Sequence, residues 1–281
     1  MLKNQIKTVI LLGLLTGLLL FVGYLIGGST GLTIGLIIAL TMNFGSYWFS
    51  DKIVLAIYKA KKAPKNEYPE LHKTIEELAK EAKTPKPKIY VIPTETSNAF
   101  ATGRSPKHSA IAVTQGILKI LDKNELKGVL AHELSHITNR DTLITTIAAT
   151  IAGVISYAAF MARWAAIFGG GRDRDSGNLL SLLVLAILTP LIATLLQLAL
   201  SRSREYLADE KGAQISKEPK GLANALLKLE KEARAKPLRF GSPATSSLFI
   251  VNPFTAKGFI TLLSTHPPTT ERVKRLEKMK I

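Results

Sequence analysis

Asn124-Glu125-Leu126-Lys127-Gly128-Val129-Leu130-Ala131-His132-Glu133-Leu134-Ser135-His136 is the stretch on which the reading of this 281-residue chain turns. Leu126, Val129 and Leu130 recur at helical spacing, and Asp122 or Asn124 stands where an N-cap is needed, so the stretch is predicted to be a helix. Positions i and i+4 of a helix lie one above the other on one face. His132 and His136 can therefore reach one metal ion, and Glu133, beside the first ligand, can reach a water on that ion. The bland alternative is a pair of solvated histidines on an amphipathic helix. The uncharged run Gly128 to Ala131 ahead of the motif and Ile137 after it favour burial instead.

Two histidines and a water leave one protein position open, because catalytic zinc sites use three protein ligands. The chain has no cysteine, so the third ligand is a His, Asp or Glu, and neither a disulfide nor a thiolate nucleophile is available. The candidates are His266 and the acidic residues of Ser201-Arg202-Ser203-Arg204-Glu205-Tyr206-Leu207-Ala208-Asp209. Glu205 and Asp209 share a helix face, so one can bind metal while the other supports a ligand histidine. On their own they also read as an exposed helix face paired with nearby arginines.

Upstream, a helix over 66–83 carries Leu71, Ile75, Leu78 and Ala82 on one face and ends at Pro85 and Pro87. Three short strands follow, at Ile89–Ile92, at Asn98–Gly103 and at Ala110–Thr114, and then a helix start at Gln115–Leu118. The segment Asn98-Ala99-Phe100-Ala101 is placed to hold substrate extended as an edge strand, by added backbone pairing.

Before all of this, no residue from Thr8 to Ser50 is charged. That length suits two membrane helices, near 8–27 and 31–49, with the break at Gly27-Gly28-Ser29-Thr30. A cleaved signal peptide would also have Lys3 and Lys7 in front, but the run is long and leads straight into a second one. Gly13/Gly17 and Gly31/Gly35 fit the spacing of a close helix contact. Downstream, uncharged runs at 142–162 and 176–201 flank a Gly-rich loop at Gly169–Asp175, and Pro190 lies inside the last run. Four such runs exceed what a soluble domain of this size can bury. Two spans between His136 and Glu205 return the chain to one side, so the three groups can meet.

The formal net charge is +16. No nucleic-acid-binding module is present, so the basic residues read as cytoplasmic flanks of membrane spans. Lys52, Lys59, Lys61, Lys62 and Lys65 follow the second run and put the soluble part on the cytoplasmic side.

Together with Ser97-Asn98-Ala99-Phe100-Ala101-Thr102-Gly103 and Ser264-Thr265-His266-Pro267-Pro268, these motifs make the chain resemble, end to end, the HtpX proteases. Those are membrane-bound zinc endopeptidases related to the CAAX-processing Ste24 enzymes. The resemblance implies that Glu205 is the third ligand, that Asp209 orients His132, and that the catalytic domain is cytoplasmic and acts in quality control of damaged membrane proteins. It gives His266 a role in oxyanion stabilisation or substrate contact. Helix capping ahead of two prolines is the competing reading of that residue.

The expected architecture is a mainly α membrane protein with about four transmembrane helices and a zincin-like α+β catalytic domain carrying a small sheet. Its parts are a membrane hairpin at 1–50, the first part of the peptidase domain at 51–141, a second hairpin at 142–201 and the rest of the peptidase domain at 202–281. One zinc ion per chain, Glu133 as general base, a plasma-membrane location and unfolded or membrane-protein substrates complete the expectation. The oligomeric state is left open. Two readings compete: a non-proteolytic transporter or scaffold holding a metal, and a protein that only binds membrane surfaces through its basic charge.

Overall fold

The stretch from Thr8 to Ser50, uncharged throughout, has no amphipathic face to turn toward water, and it lies within one helical segment, α1 (Leu2–Ile57), broken at Gly27 and Gly28. The computed structural model describes residues 2–152, 202–238, 240–241, 243–254 and 267–280. Gly28 takes φ 55, in the left-handed region that only glycine enters freely, and the two arms fold back on each other. Near the turn the arms touch backbone to backbone. A Cβ on Gly23 or Gly31 would collide with the other's carbonyl oxygen, whereas Gly13 and Gly17 face open space. Of the two expected small-residue contacts, the one around Gly31 and Gly35 is made and the one around Gly13 and Gly17 is not. Asn43 ties the arms together further along, donating to Thr16 Oγ1 at 2.8 Å.

Both arms, Ile6–Leu25 and Gly27–Ile57, are long and apolar enough to cross a membrane. Val9, Phe21, Leu25, Ile37 and Phe44 are each more than half exposed, an apolar surface that water disfavours. The run expected at 142–162 begins as helix α5 (Asp141–Ala152). Its remainder, the loop at Gly169–Asp175 and the run at 176–201 lie outside the described residues.

The sheet has four strands in the order β1-β2-β4-β3, where β1 is Lys61–Lys62, β2 Lys88–Ile92, β3 Ala99–Ser105 and β4 His108–Thr114. β2 and β4 run parallel and the other pairs antiparallel. Strand β1 was not expected. Its two lysines pair through backbone alone, with Val91 and Tyr90, and both side chains are exposed. Alternation along the strands splits the core in two. Ile89, Val91, Ala101, Ile111 and Val113 face α2 (Pro69–Glu81) and α4 (Lys123–Thr138). Ile92, Phe100 and Ala112 face Tyr58, Leu248 and Phe249. The short α3 (Gln115–Ile120) follows β4, capped by the Thr114 side chain.

Helix α4 starts with a capping box. Asp122 Oδ1 accepts from the backbone of Asn124 and Glu125, and Glu125 Oε2 accepts from Asp122 N–H. It is then enclosed by α6 (Arg202–Ser216) and α7 (Pro219–Ala235), with α8 (Thr269–Glu277) packed beyond them. Leu11 and Leu15 of the first arm of α1 form a third apolar cluster with Ile144, Ile147, Ala148 and Ile151 of α5. The helix that leaves the motif therefore runs directly onto the apolar hairpin.

Candidate metal centre

One turn of α4 sets His132 above His136, with ring centroids 4.8 Å apart and nearly perpendicular. Their Nε2 atoms face each other at 3.2 Å. Glu205, in the first turn of α6, completes the group: its Oε2 lies 3.7 Å from His132 Nε2 and its Oε1 3.6 Å from His136 Nε2. Among the described residues these three form the cluster able to hold a metal ion. A tetrahedral zinc ion with ligands at ~2.0–2.1 Å separates its ligand atoms by roughly 3.3 Å, which the three observed edges approach. Two imidazole nitrogens and a carboxylate, without thiolate, are a donor set that zinc accepts.

What lets α6 come this close is Gly212. A Cβ there would stand 2.8 Å from the backbone nitrogen of His132, so no larger residue fits without moving the ligand helix. Glu205 sits about two turns earlier on the same helix and is carried over the histidines.

Each histidine is held by a carboxylate through its other nitrogen. His132 Nδ1 lies 2.9 Å from Asp209 Oδ1, and His136 Nδ1 lies 3.3 Å from Asp141 Oδ2. Such partners fix the ring and turn the Nε2 lone pair toward the metal position. Asp209 is itself clamped by Arg272, whose Nε and Nη2 donate to its two oxygens at 2.8 and 2.7 Å while Nη1 donates to Ile250 O at 3.0 Å. Arg272 is 2% exposed. Burial opposes its charge, yet Asp209 and Glu205 more than offset this and hold its pKa above the ordinary value. Asp209 is the converse. Burial would raise its pKa, but Arg272 and His132 hold it below the usual carboxylate range.

Glu133 is buried beside the cluster, and burial pushes its carboxyl up to about 7, opposed by His136 and by the Ala101 backbone N–H. That is the range in which a carboxylate exchanges protons at neutral pH. Burial also lowers His132. For His136 burial acts downward, but Asp141, Glu205 and Glu133 outweigh it and the ring is pushed up to about 9. The space beside them is ≈ 20 Å³, bounded by Ala101, Thr145, Arg204 and Phe249 as well as the cluster. A volume of that order holds about one ion or one water.

The structure thus brings together His132, Glu133, His136, Glu205 and Asp209. Ala101 borders the pocket on β3, the outer strand of the sheet. The rest of the segment Asn98-Ala99-Phe100-Ala101 is closed in. Asn98 Nδ2 donates to Val251 O at 2.6 Å, Ala99 O accepts from Ile250 N–H at 3.2 Å, and Phe100 packs against both Tyr58 and Phe249. His266 lies outside the described residues.

Sequence reading missed Asp141 and Arg272. Asp141 opens an uncharged helical run, where an acidic residue is ordinarily read as a helix-dipole partner. Arg272 stands among Lys274, Arg275 and Lys278 and looks like part of a solvated basic end. Its signal was position: Arg272, Val273 and Leu276 share the buried face of α8.

Residues 65–280 match the family model described as Peptidase family M48. A Pyrococcus furiosus protein named Protease HtpX homolog is 55% identical over 275 residues, covering 98% of this chain and 95% of that protein. Its namesake from Syntrophobacter fumaroxidans is 50% identical over 280 residues, covering 98% and 99%. Among solved structures, the crystal structure of S. mikatae Ste24p superposes with TM-score 0.53 at 19% identity, a likeness of fold that covers 98% of this chain and 66% of that one.

Proposed function

From the premise that this chain belongs to peptidase family M48, and so is a metalloprotease, we propose that it is a membrane-integrated zinc endopeptidase that hydrolyses misfolded or damaged membrane proteins. The observation that carries the reading is the convergence of His132, His136 and Glu205 beside a buried Glu133. The two histidines and Glu205 hold the ion. Asp209, backed by Arg272, fixes His132, and Asp141 fixes His136. When bound there, zinc supplies Lewis acidity, lowering the pKa of a water toward ~7 and polarising the scissile carbonyl. Glu133 takes the proton of the attacking water on its carboxylate and returns it to the leaving amine. Burial of the site keeps bulk water from competing for that proton. The backbone of β3 near Ala101 lies beside Glu133 and aligns an extended substrate across the pocket. His266 contributes to oxyanion stabilisation or substrate contact.

The peptidase domain is formed by residues 51–141 and 202–281, with membrane hairpins at 1–50 and 142–201 giving four spans in all. The apolar arms of α1, and α5 seated on the first of them, support this arrangement. Lysines at both ends of the first hairpin, Lys3 and Lys7 before it and Lys52 and Lys59 after it, favour a cytoplasmic catalytic domain at the plasma membrane. A site this near the hairpin reaches loops and unfolded tails of neighbouring membrane proteins. Chelation tests the metal assignment. Removal of metal abolishes cleavage of an unfolded polypeptide, and zinc restores it to wild type but not to Glu205→Ala. Cleavage that persists after metal removal overturns the proposal.

A further inference from the structure

Away from the metal centre, a groove of ≈ 580 Å³ opens where the second arm of α1 meets the sheet. One wall is aromatic: Phe44, Trp48 and Phe49 from the arm, with Tyr90 of β2 opposite. Leu55, Ser109 and Ala110 complete the lining, and its ionisable groups are Lys52, Lys88, Arg104 and His108 against the single carboxylate of Asp51. The Arg104 guanidinium lies 4.4 Å from the centre of the Trp48 ring, and Lys52 Nζ 5.3 Å from that of Phe49. Neither these two cations nor Lys88 makes a salt bridge among the described residues. His108 is engaged with Ser105 Oγ through Nδ1. The groove therefore gathers three cations without carboxylate partners over an aromatic floor, and its chemistry asks for an anion.

Its height in the chain says which anion. Counting from the break at Gly28, Trp48 lies about 30 Å along the second arm at ~1.5 Å per residue, which is the thickness of a bilayer's hydrocarbon core. Tryptophan, tyrosine and phenylalanine followed by lysine at that depth form the interfacial belt of a membrane helix. Leu40, Phe44 and Trp48 succeed one another at i, i+4 spacing, 59%, 63% and 41% exposed, the last two lining the groove and Leu40 beyond it. This stripe continues from the groove into the membrane. A free anion would use the cations and leave the stripe bare, whereas a phospholipid would cover both.

We propose that this groove binds an anionic phospholipid of the leaflet next to the catalytic domain. The phosphate and headgroup are held by Lys52, Lys88 and Arg104, and one acyl chain lies along Trp48, Phe44 and Leu40. The inference rests on the reading that α1 crosses the bilayer, and it adds a defined lipid site next to the sheet whose outer strand borders the metal pocket. Three cations against one carboxylate imply enrichment of anionic over zwitterionic lipid on the order of tenfold at the groove.

The chain has two tryptophans, Trp48 and Trp164, so Trp164→Phe leaves a reporter inside the groove itself. With Glu133→Gln added to prevent self-cleavage, the full chain is reconstituted in phosphatidylcholine vesicles containing one fifth brominated lipid, either phosphatidylglycerol or phosphatidylcholine. Brominated phosphatidylglycerol should quench Trp48 several-fold more strongly than brominated phosphatidylcholine. Lys52→Gln, Lys88→Gln and Arg104→Gln together should make the two equal. The matched surface set Lys65→Gln, Lys73→Gln and Lys231→Gln should keep the preference. Equal zinc content in all three proteins checks that the fold is intact. No preference in the parent protein, or equal loss in both triple variants, overturns the site. Loss of the preference on adding millimolar inorganic phosphate overturns the lipid in favour of a free anion. Failure of the chain to enter either vesicle overturns the spanning reading and the lipid site with it.

Discussion

Replacing Arg272 with Gln removes the guanidinium that neutralises Asp209 behind the metal-binding His132. The guanidinium donates at 2.8 and 2.7 Å to Asp209 and at 3.0 Å to Ile250 O, all in the protein interior. The variant leaves Asp209 buried and without that partner, and breaking a buried ion pair from one side costs ~3–5 kcal/mol. For a domain of this size ~1 kcal/mol corresponds to ~2–4 °C in Tm, so the midpoint should fall by roughly 6–20 °C. Asp209→Asn removes the other side of the same pair. If the two residues act together, the double variant loses at least ~1 kcal/mol less than the sum of the single losses. The assay is thermal unfolding of the detergent-solubilised Glu133→Gln protein, with and without zinc, followed by near-UV circular dichroism. The stabilisation given by zinc should also shrink in Arg272→Gln, because His132 loses its fixed orientation. A midpoint within a degree or two of the parent, or additive single and double losses, would refute the claim that Arg272 acts through Asp209.

Two further outcomes follow from the same geometry. Asp141→Ala frees His136 Nδ1 and should weaken zinc binding by ~10–100-fold, measured by competition with a chelator of known affinity, while the fold is retained. Asp141, Glu205 and Glu133 raise His136 to about 9, so at neutral pH it carries a proton that an incoming metal must displace. Apparent zinc affinity should therefore climb as pH rises from 6 toward about 9, with proton release on binding seen by calorimetry in buffers of different ionisation enthalpy. A flat affinity over that range contradicts the electrostatics described for His136.

Local chemistry was legible in the sequence, and chemistry between distant segments was not. His132, Glu133 and His136 sit within one helical turn, so spacing alone placed them together. The hairpin break was readable because two adjacent glycines interrupt an uncharged run, and strand Ile89–Ile92 because a short apolar run is closed by Pro93. Glu205 stood among several candidate ligands on spacing, and only resemblance to a family singled it out, since its approach depends on Gly212 packing against His132 from another helix. Asp141 and Arg272 were missed for a related reason. Each meets its partner through tertiary packing, and on its own each follows a common surface pattern, a helix-starting acid or a basic terminus. Strand β1 left no trace because its pairing uses backbone atoms that every residue has.

The central claim is that Glu133 moves the proton in peptide hydrolysis while His132, His136 and Glu205 only hold the metal. Glu133→Gln keeps the shape of the side chain and removes its basicity. Purified alongside wild type, it should contain the same one zinc per chain and show no cleavage of an unfolded polypeptide or of itself. Zinc content equal to wild type together with undiminished cleavage, in protein free of contaminating proteases, would contradict the account.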